Sequence, residues 1–218
     1  MKKTFCAVFA FVIFAAGLFT GCTSSDPFET SRIVTNAKIY GVQEYGPNTD
    51  VYAAADKLAA SHGKTGLYTS KSQDEAKILY DKFINKNNSF PKATLTEMTA
   101  FSVKEPLGNA IYNTDCGLLY FEDNASAKAY FDEYNEKLKP SISTNKNGFK
   151  DGYAYVISYK LSANKDGNCD WMRGVYLRGN SVLIISGFSP IGIKDTFCDR
   201  VFSSLDLIDP ATLNKDKT

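Results

Sequence analysis

The chain has 218 residues with 25 Lys and Arg against 24 Asp and Glu, a net charge of +1, one histidine and 44% hydrophobic residues. Such a balance, with no basic block, lacks the electrostatic footprint of a nucleic-acid binder and the polybasic patch that grips lipid head groups. The length suffices for one good core, or for two small subdomains that share one.

Lys2 and Lys3 make a short basic start, the run Phe5 to Phe19 is almost entirely apolar, and Phe19-Thr20-Gly21-Cys22 closes it with small residues before a cysteine. The run falls short of the roughly 20 residues needed to cross hydrocarbon, so the segment reads as an export signal. Phe19–Cys22 resembles the signal of bacterial lipoproteins, although Phe19 stands where Leu is commonest and Leu18 lies one position early. The resemblance implies removal of residues 1–21 and acylation of Cys22, which becomes residue one and ties the chain to a membrane by palmitate-type chains. Two or more acyl chains anchor stably where one binds only marginally. Thr23 is not the Asp that retains such proteins at an inner membrane, so the resemblance implies an extracytoplasmic body in the cell envelope, at the outer membrane where a cell has two. Plain secretion with a free Cys22 thiol, or a retained anchor helix, are the alternatives.

Residues 22–31 read as a polar tether, too poor in apolar surface to order itself. Ile33–Tyr40 reads as a first strand. Tyr45-Gly46-Pro47-Asn48 is a turn, after which Asn48 or Asp50 caps a helix to about Ser61, with Val51, Ala55, Leu58 and Ala59 on one face and Gly63 at its end. Gly66–Thr69 is a short strand. Ser72-Gln73-Asp74-Glu75 has capping-box spacing, and the helix behind it buries Ala76, Leu79, Tyr80, Phe83 and Ile84. Lys92–Val103 alternates and reads as a strand. Asn109–Asn113 and Gly117–Phe121 read as two strands joined by a turn at Thr114-Asp115-Cys116. Ala125–Leu138 is a helix with Ala127, Tyr130, Phe131, Tyr134 and Leu138 inward.

A loose stretch, residues 141–152, precedes clear period-two alternation in which Tyr153, Tyr155, Ile157, Tyr159 and Leu161 share a face. A loop at Asn164–Asn168 leads to a strand over Asp170–Arg178, a hairpin turn at Gly179-Asn180, and the apolar strand Ser181–Phe188. A last helix, Ile193–Leu205, precedes a charged, flexible tail, 209–218. Leu67-Tyr68 with Ala76–Phe83 lines up with Leu119-Tyr120 and Ala127–Tyr134, which suggests a duplicated strand–helix unit. The expected fold is a single α+β domain, 32–208, with an antiparallel or mixed sheet of six or more strands and three to four packed helices.

Chemistry-bearing sets are sparse. His62, in a helix's last turn, suits capping better than catalysis. Asn164–Asp170 places oxygens at alternating positions but lacks the D-x-[DN]-x-[DN]-G order and distal Glu of a calcium loop, so it reads as a turn. No zinc or phosphate-loop motif occurs, and no metal or cofactor is implied. The tyrosine row reads as an inner face packed on helices, with a stacking surface for a glycan or peptide as the alternative. Cys6 leaves with the signal and Cys22 is consumed by lipid, which leaves Cys116, Cys169 and Cys198. Cys169 opens one strand and Cys198 lies early in the helix that follows its partner, so a Cys169–Cys198 disulfide is expected, worth about 3–4 kcal/mol, with Cys116 free. The function expected is a non-catalytic binding or assembly module with a protein or small-ligand partner. An extracytoplasmic hydrolase or thiol enzyme using acids and Cys116 is the alternative.

Overall fold

The structure, a computed structural model, describes residues 26–60, 65–87, 90–107, 110–138, 144–164, 167–190 and 196–217. Seven strands form one antiparallel sheet: β1 (Gly66–Thr69), β2 (Glu97–Leu107), β3 (Ala110–Tyr120), β4 (Thr144–Lys150), β5 (Tyr153–Asn164), β6 (Gly167–Arg178) and β7 (Ser181–Pro190). Their order is β1-β2-β3-β7-β6-β5-β4, so two meanders, β1–β3 and β4–β7, meet where β3 pairs with β7. Among the described residues five α-helices complete the α+β fold: α1 (Thr30–Ile39), α2 (Val51–Ala59), α3 (Gln73–Leu79), α4 (Asn124–Leu138) and α5 (Phe197–Ser204). Helix α4 carries the chain from the end of β3 to the far edge strand β4.

The sheet is covered on both faces. On one, Ala54, Leu58, Ala76, Leu79, Tyr80, Tyr130 and Tyr134 from α2, α3 and its extension, and α4 pack on Met98, Leu119, Val175 and Ile184. On the other, Ile33 and Ala37 of α1, and Phe197, Val201 and Phe202 of α5, pack on Phe101, Leu118, Ile157, Tyr176 and Leu183. This explains the continuous apolar run in β7, where Val182 and Ile184 serve one core and Leu183 and Ile185 the other.

Helix starts follow local chemistry. The Asp50 carboxylate accepts from Ala53 N at 3.1 Å, and Ser72 Oγ accepts from Glu75 N at 3.2 Å. Glu75 does not complete the expected box; its Oε2 accepts from Lys71 N at 2.8 Å and from the Tyr68 hydroxyl at 2.9 Å, which ties α3 to β1. The full box belongs to α5, where Thr196 and Asp199 cap each other's backbone N–H groups. Helix α3 continues through a π-helical turn, Tyr80–Ile84, which seats Tyr80 and Phe83 in the core.

Four expectations change. Ile33–Tyr40 is helical rather than extended. Ile33 and Ala37, four apart, are buried while Ile39 is 71% exposed; a strand would have turned all three to one side. Thr114-Asp115-Cys116 is the middle of β3, not a turn. Asp115 accepts from Ser102 Oγ at 2.6 Å and Asn113 Nδ2 at 2.8 Å, and ladders with β2 and β7 on either side outweigh turn chemistry. The stretch expected to be loose contains β4, an edge strand whose mostly exposed Thr-Asn-Lys-Asn-Gly-Phe-Lys sequence draws its pairing from β5 alone. The tail is a 3₁₀ helix, Pro210–Lys217, with Leu207 and Leu213 buried and Ile208 O accepting from the Tyr176 hydroxyl at 2.6 Å.

The folded body also begins before residue 32: α1 starts at Thr30 and Phe28 is already docked. The two copies of the proposed duplication, β1–α3 and β3–α4, place their helices in the same core. The later strand–helix pair, β7–α5, sends its helix to the opposite one.

Gly174 lies mid-sheet beneath the Tyr176 ring, which a Cβ at that position would overlap. Gly174→Ala should push Tyr176 off its bond to Ile208 O and cost about 1–3 kcal/mol, read as a lower urea midpoint with an unchanged slope.

Candidate functional site

Three places in the fold bring chemistry-bearing residues together. The first is the root of the chain. Tyr120 ends β3 and Ser181 opens β7, and the two are register partners. Phe28 N donates to Ser181 Oγ at 2.9 Å, the Tyr120 hydroxyl donates to Phe28 O, and Thr30 N donates back to the Tyr120 oxygen at 3.1 Å. Thr30 Oγ1 donates to Glu97 at 3.1 Å, and Arg32 pairs with Asp206 at 2.6 Å. Burial raises the Tyr120 hydroxyl's pKa, so the clamp keeps its proton. Two grooves flank it, of about 160 and 650 Å³, both lined by Phe28, Glu29, Arg32 and Arg178.

The second place is the pair of buried thiols. Cys116 and Cys198 are both unbridged and 0% exposed, in the same core. Burial pushes each thiol up, and the neighbouring acids, Asp115 for Cys116 and Asp199 for Cys198, push further. A nucleophile needs a thiolate with access, and in this structure Cys116 is enclosed and keeps its proton. The expected Cys169–Cys198 bridge is not formed. Cys198 Sγ lies against Gly187 and Thr114, where a Cβ on Gly187 would sit 2.9 Å from the sulfur, while Cys169 pairs along the backbone with Pro190 further up β7. The helix dips inward at Cys198 instead of meeting the strand end, a depth that topology from sequence does not specify. The Cys169 side chain, like Cys22 and His62, lies outside the described residues.

The third place is on the sheet itself. Arg173, in the middle of β6, has its guanidinium carbon 4.7 Å from the Trp171 ring centre and 5.5 Å from that of Phe90. Phe90 in turn stacks on Tyr134 at 4.5 Å with 17° between planes. Arg173 Nε is buried and has no hydrogen-bond partner among the described residues. Ser158 and Ser186 are its register partners on β5 and β7, and Phe188 is that of Trp171. Burial raises the Tyr134 hydroxyl's pKa, and the Arg173 charge pulls it back. Sequence reading missed this cluster, because Trp171 and Arg173 are two apart on one strand while Phe90 and Tyr134 come from distant segments.

The remaining candidates are structural. Tyr153, Tyr155 and Tyr159 are buried in the core under α1 and α5, as the inner-face reading expected. Asn164 and Gly167–Asp170 belong to β5 and β6, whose connecting residues, 165–166, lie outside the described set. Among the described residues no three His, Cys, Asp or Glu side chains are grouped to hold a metal ion, and no helix is long and apolar enough to cross a membrane.

No protein-family model matches the chain, and no curated protein matches it. Among solved structures, the extracellular domain of PknH from Mycobacterium tuberculosis aligns with 88% of this chain and 100% of its own, at 12% identity and a TM-score of 0.42. That likeness is too slight to bear on fold or function.

Three outcomes follow from this structure. Tyr120→Phe removes the hydroxyl that serves Phe28 and Thr30, and should cost about 1–3 kcal/mol with faster proteolysis of the residues ahead of α1. The buried thiols and tyrosines keep protons that the unfolded chain releases near 9.0 and 10.0, and Tyr68, buried and bonded to Glu75, is pushed up to about 12. Their folded values are raised, so their stabilisation is whole below pH 9 and lost as pH climbs from 9 toward 12. Equilibrium unfolding across that range should show the fall. Over the same pH values Cys116 and Cys198 should resist alkylation in a Cys169→Ser background until the chain unfolds.

Proposed function

We propose that the protein is a membrane-anchored extracytoplasmic lipoprotein whose folded body is a non-catalytic binding or assembly module. The observation that carries the anchor is the leader, a basic start and short apolar run ending at Phe19-Thr20-Gly21-Cys22. The root clamp supports it from the other side. From Cys22 to Asp26 the backbone reaches at most about 14 Å, so an acylated Cys22 holds the clamp end of the sheet near the lipid surface. Thr23 in place of Asp favours the outer membrane of a two-membrane cell.

The clamp end is also the Arg178 end of β6, because Arg178 lines both grooves beside Phe28. Arg173 lies five residues back along that strand, about 17 Å further from the anchor by the rise of an antiparallel strand. The body thus presents its aromatic and cationic surface away from the clamp. A binding role is supported by that surface, where a positive charge on β6 lies among rings from the sheet, α4 and the segment around Phe90.

Intact mass of the native protein should show an acylated cysteine as the first residue. Cys22→Ser should move the protein from the membrane to the soluble or precursor fraction. An unmodified amino terminus on membrane-bound protein overturns the anchor.

A further inference from the structure

We propose that the Arg173 surface is a binding site for an oxyanion, a carboxylate or phosphate, carried beside an aromatic or apolar group on the ligand. The inference rests on the binding-module reading and names its ligand class. It does not depend on the anchor.

Of the four arginines, Arg173 and Arg178 have no ion-pair partner among the described residues. Arg32 has Asp206 at 2.6 Å, and Arg200 has Glu105 at 3.3 Å. Arg173 has no such partner: among the described residues no carboxylate lies within ion-pair reach of it. The nearest acid across the sheet by register, Asp115 opposite Ser186 on β3, is already occupied by Ser102, Asn113 and Lys104, the last at 3.6 Å. A half-buried cation without a counter-charge is a standing cost to the fold, and an incoming anion removes it.

The geometry also suits a planar oxyanion. The guanidinium carbon sits over the Trp171 and Phe90 rings, and a guanidinium stacked on aromatic faces offers its N–H edge for polar contact. That edge forms two parallel bonds to a carboxylate or phosphate. Ser186, half-buried, and Ser158, buried, are in register on either side and flank the same point on the sheet. Trp171 and Phe188, register partners on adjacent strands and the latter 37% exposed, form an apolar shoulder one step along the strands. An anion on the guanidinium would bring its attached ring or alkyl group onto that shoulder. A free inorganic anion would leave the shoulder unused.

Trp171 is the single tryptophan of the chain, so its fluorescence reports on this site alone. The protein, purified with its native amino terminus in neutral detergent, is titrated with N-acetylphenylalanine, phenyl phosphate, inorganic phosphate and N-acetylphenylalaninamide. A saturable change with one or both aromatic anions, at least tenfold weaker with inorganic phosphate and with the amide, supports the proposal. Which aromatic anion binds tighter separates carboxylate from phosphate. Arg173→Lys should weaken binding about tenfold or more through loss of the fork, and Arg173→Met should abolish it while keeping the packing, with circular dichroism checking that each variant folds. Equal response to anion and amide, unchanged binding in a folded Arg173→Met, or no saturable response to either aromatic anion overturns it. The wild-type comparison of anion with amide stands even where a variant fails to fold. The mass of the amino terminus is read separately, so failure of the anchor and failure of this site are distinguishable.

Discussion

The pairing of β3 with β7 is the contact on which the rest of the molecule depends. Strands β1–β3 and β4–β7 are each built from sequential hairpins, and only the ladder from Thr114–Gly187 to Tyr120–Ser181 merges them into one sheet. Closing that ladder needs α4 to carry the chain across one face to the far edge, a long-range step whose entropic cost is repaid by burial on both sides. The buried strand residues at the seam, Leu118, Leu119, Leu183 and Ile184, feed both cores at once.

The same seam makes the root clamp. Tyr120 and Ser181 come from strands 61 positions apart in the chain, yet their register pairing sets both hydroxyls against Phe28. The amino-terminal segment therefore has no docking site until the sheet has formed, and once formed the sheet holds it through backbone as well as side-chain bonds. A body held this way has a defined near end and far end. At the far part of the seam, Asp115 lies opposite Ser186, and Ser186 opposite Arg173, so the polar stretch of the sheet is continuous with the joint between the meanders.

Burial decides which groups are chemically quiet and which are not. Cys116 and Cys198 are nucleophiles by residue type, but full enclosure favours their neutral forms and denies access. Arg173 cannot be neutralised in this way, because a guanidinium stays charged in any protein environment. It lies over Trp171 and Phe90 with no acid partner among the described residues, so aromatic faces moderate its charge there. Desolvation thus silences the thiols and sharpens the arginine.

Local patterns were enough for much of the fold. The caps at Asp50 and Ser72, helix α4, the tyrosine alternation of β5 and the hairpin at Gly179, whose φ of +55° suits its missing side chain, are each set by neighbours within a few residues. Capping, periodicity and turn geometry are short-range effects, so sequence alone determines them. It also carries the short apolar run that ends at Phe19-Thr20-Gly21-Cys22. What only the tertiary structure decided is whatever depends on a distant partner. Thr114-Asp115-Cys116 became strand because β2 and β7 flank it, β4 became strand because β5 offered an edge, and the charged tail docks where the Tyr176 hydroxyl donates to Ile208 O. The Arg173 surface belongs to the same class: its rings come from β6, α4 and the segment around Phe90, and no spacing along the chain records that they meet.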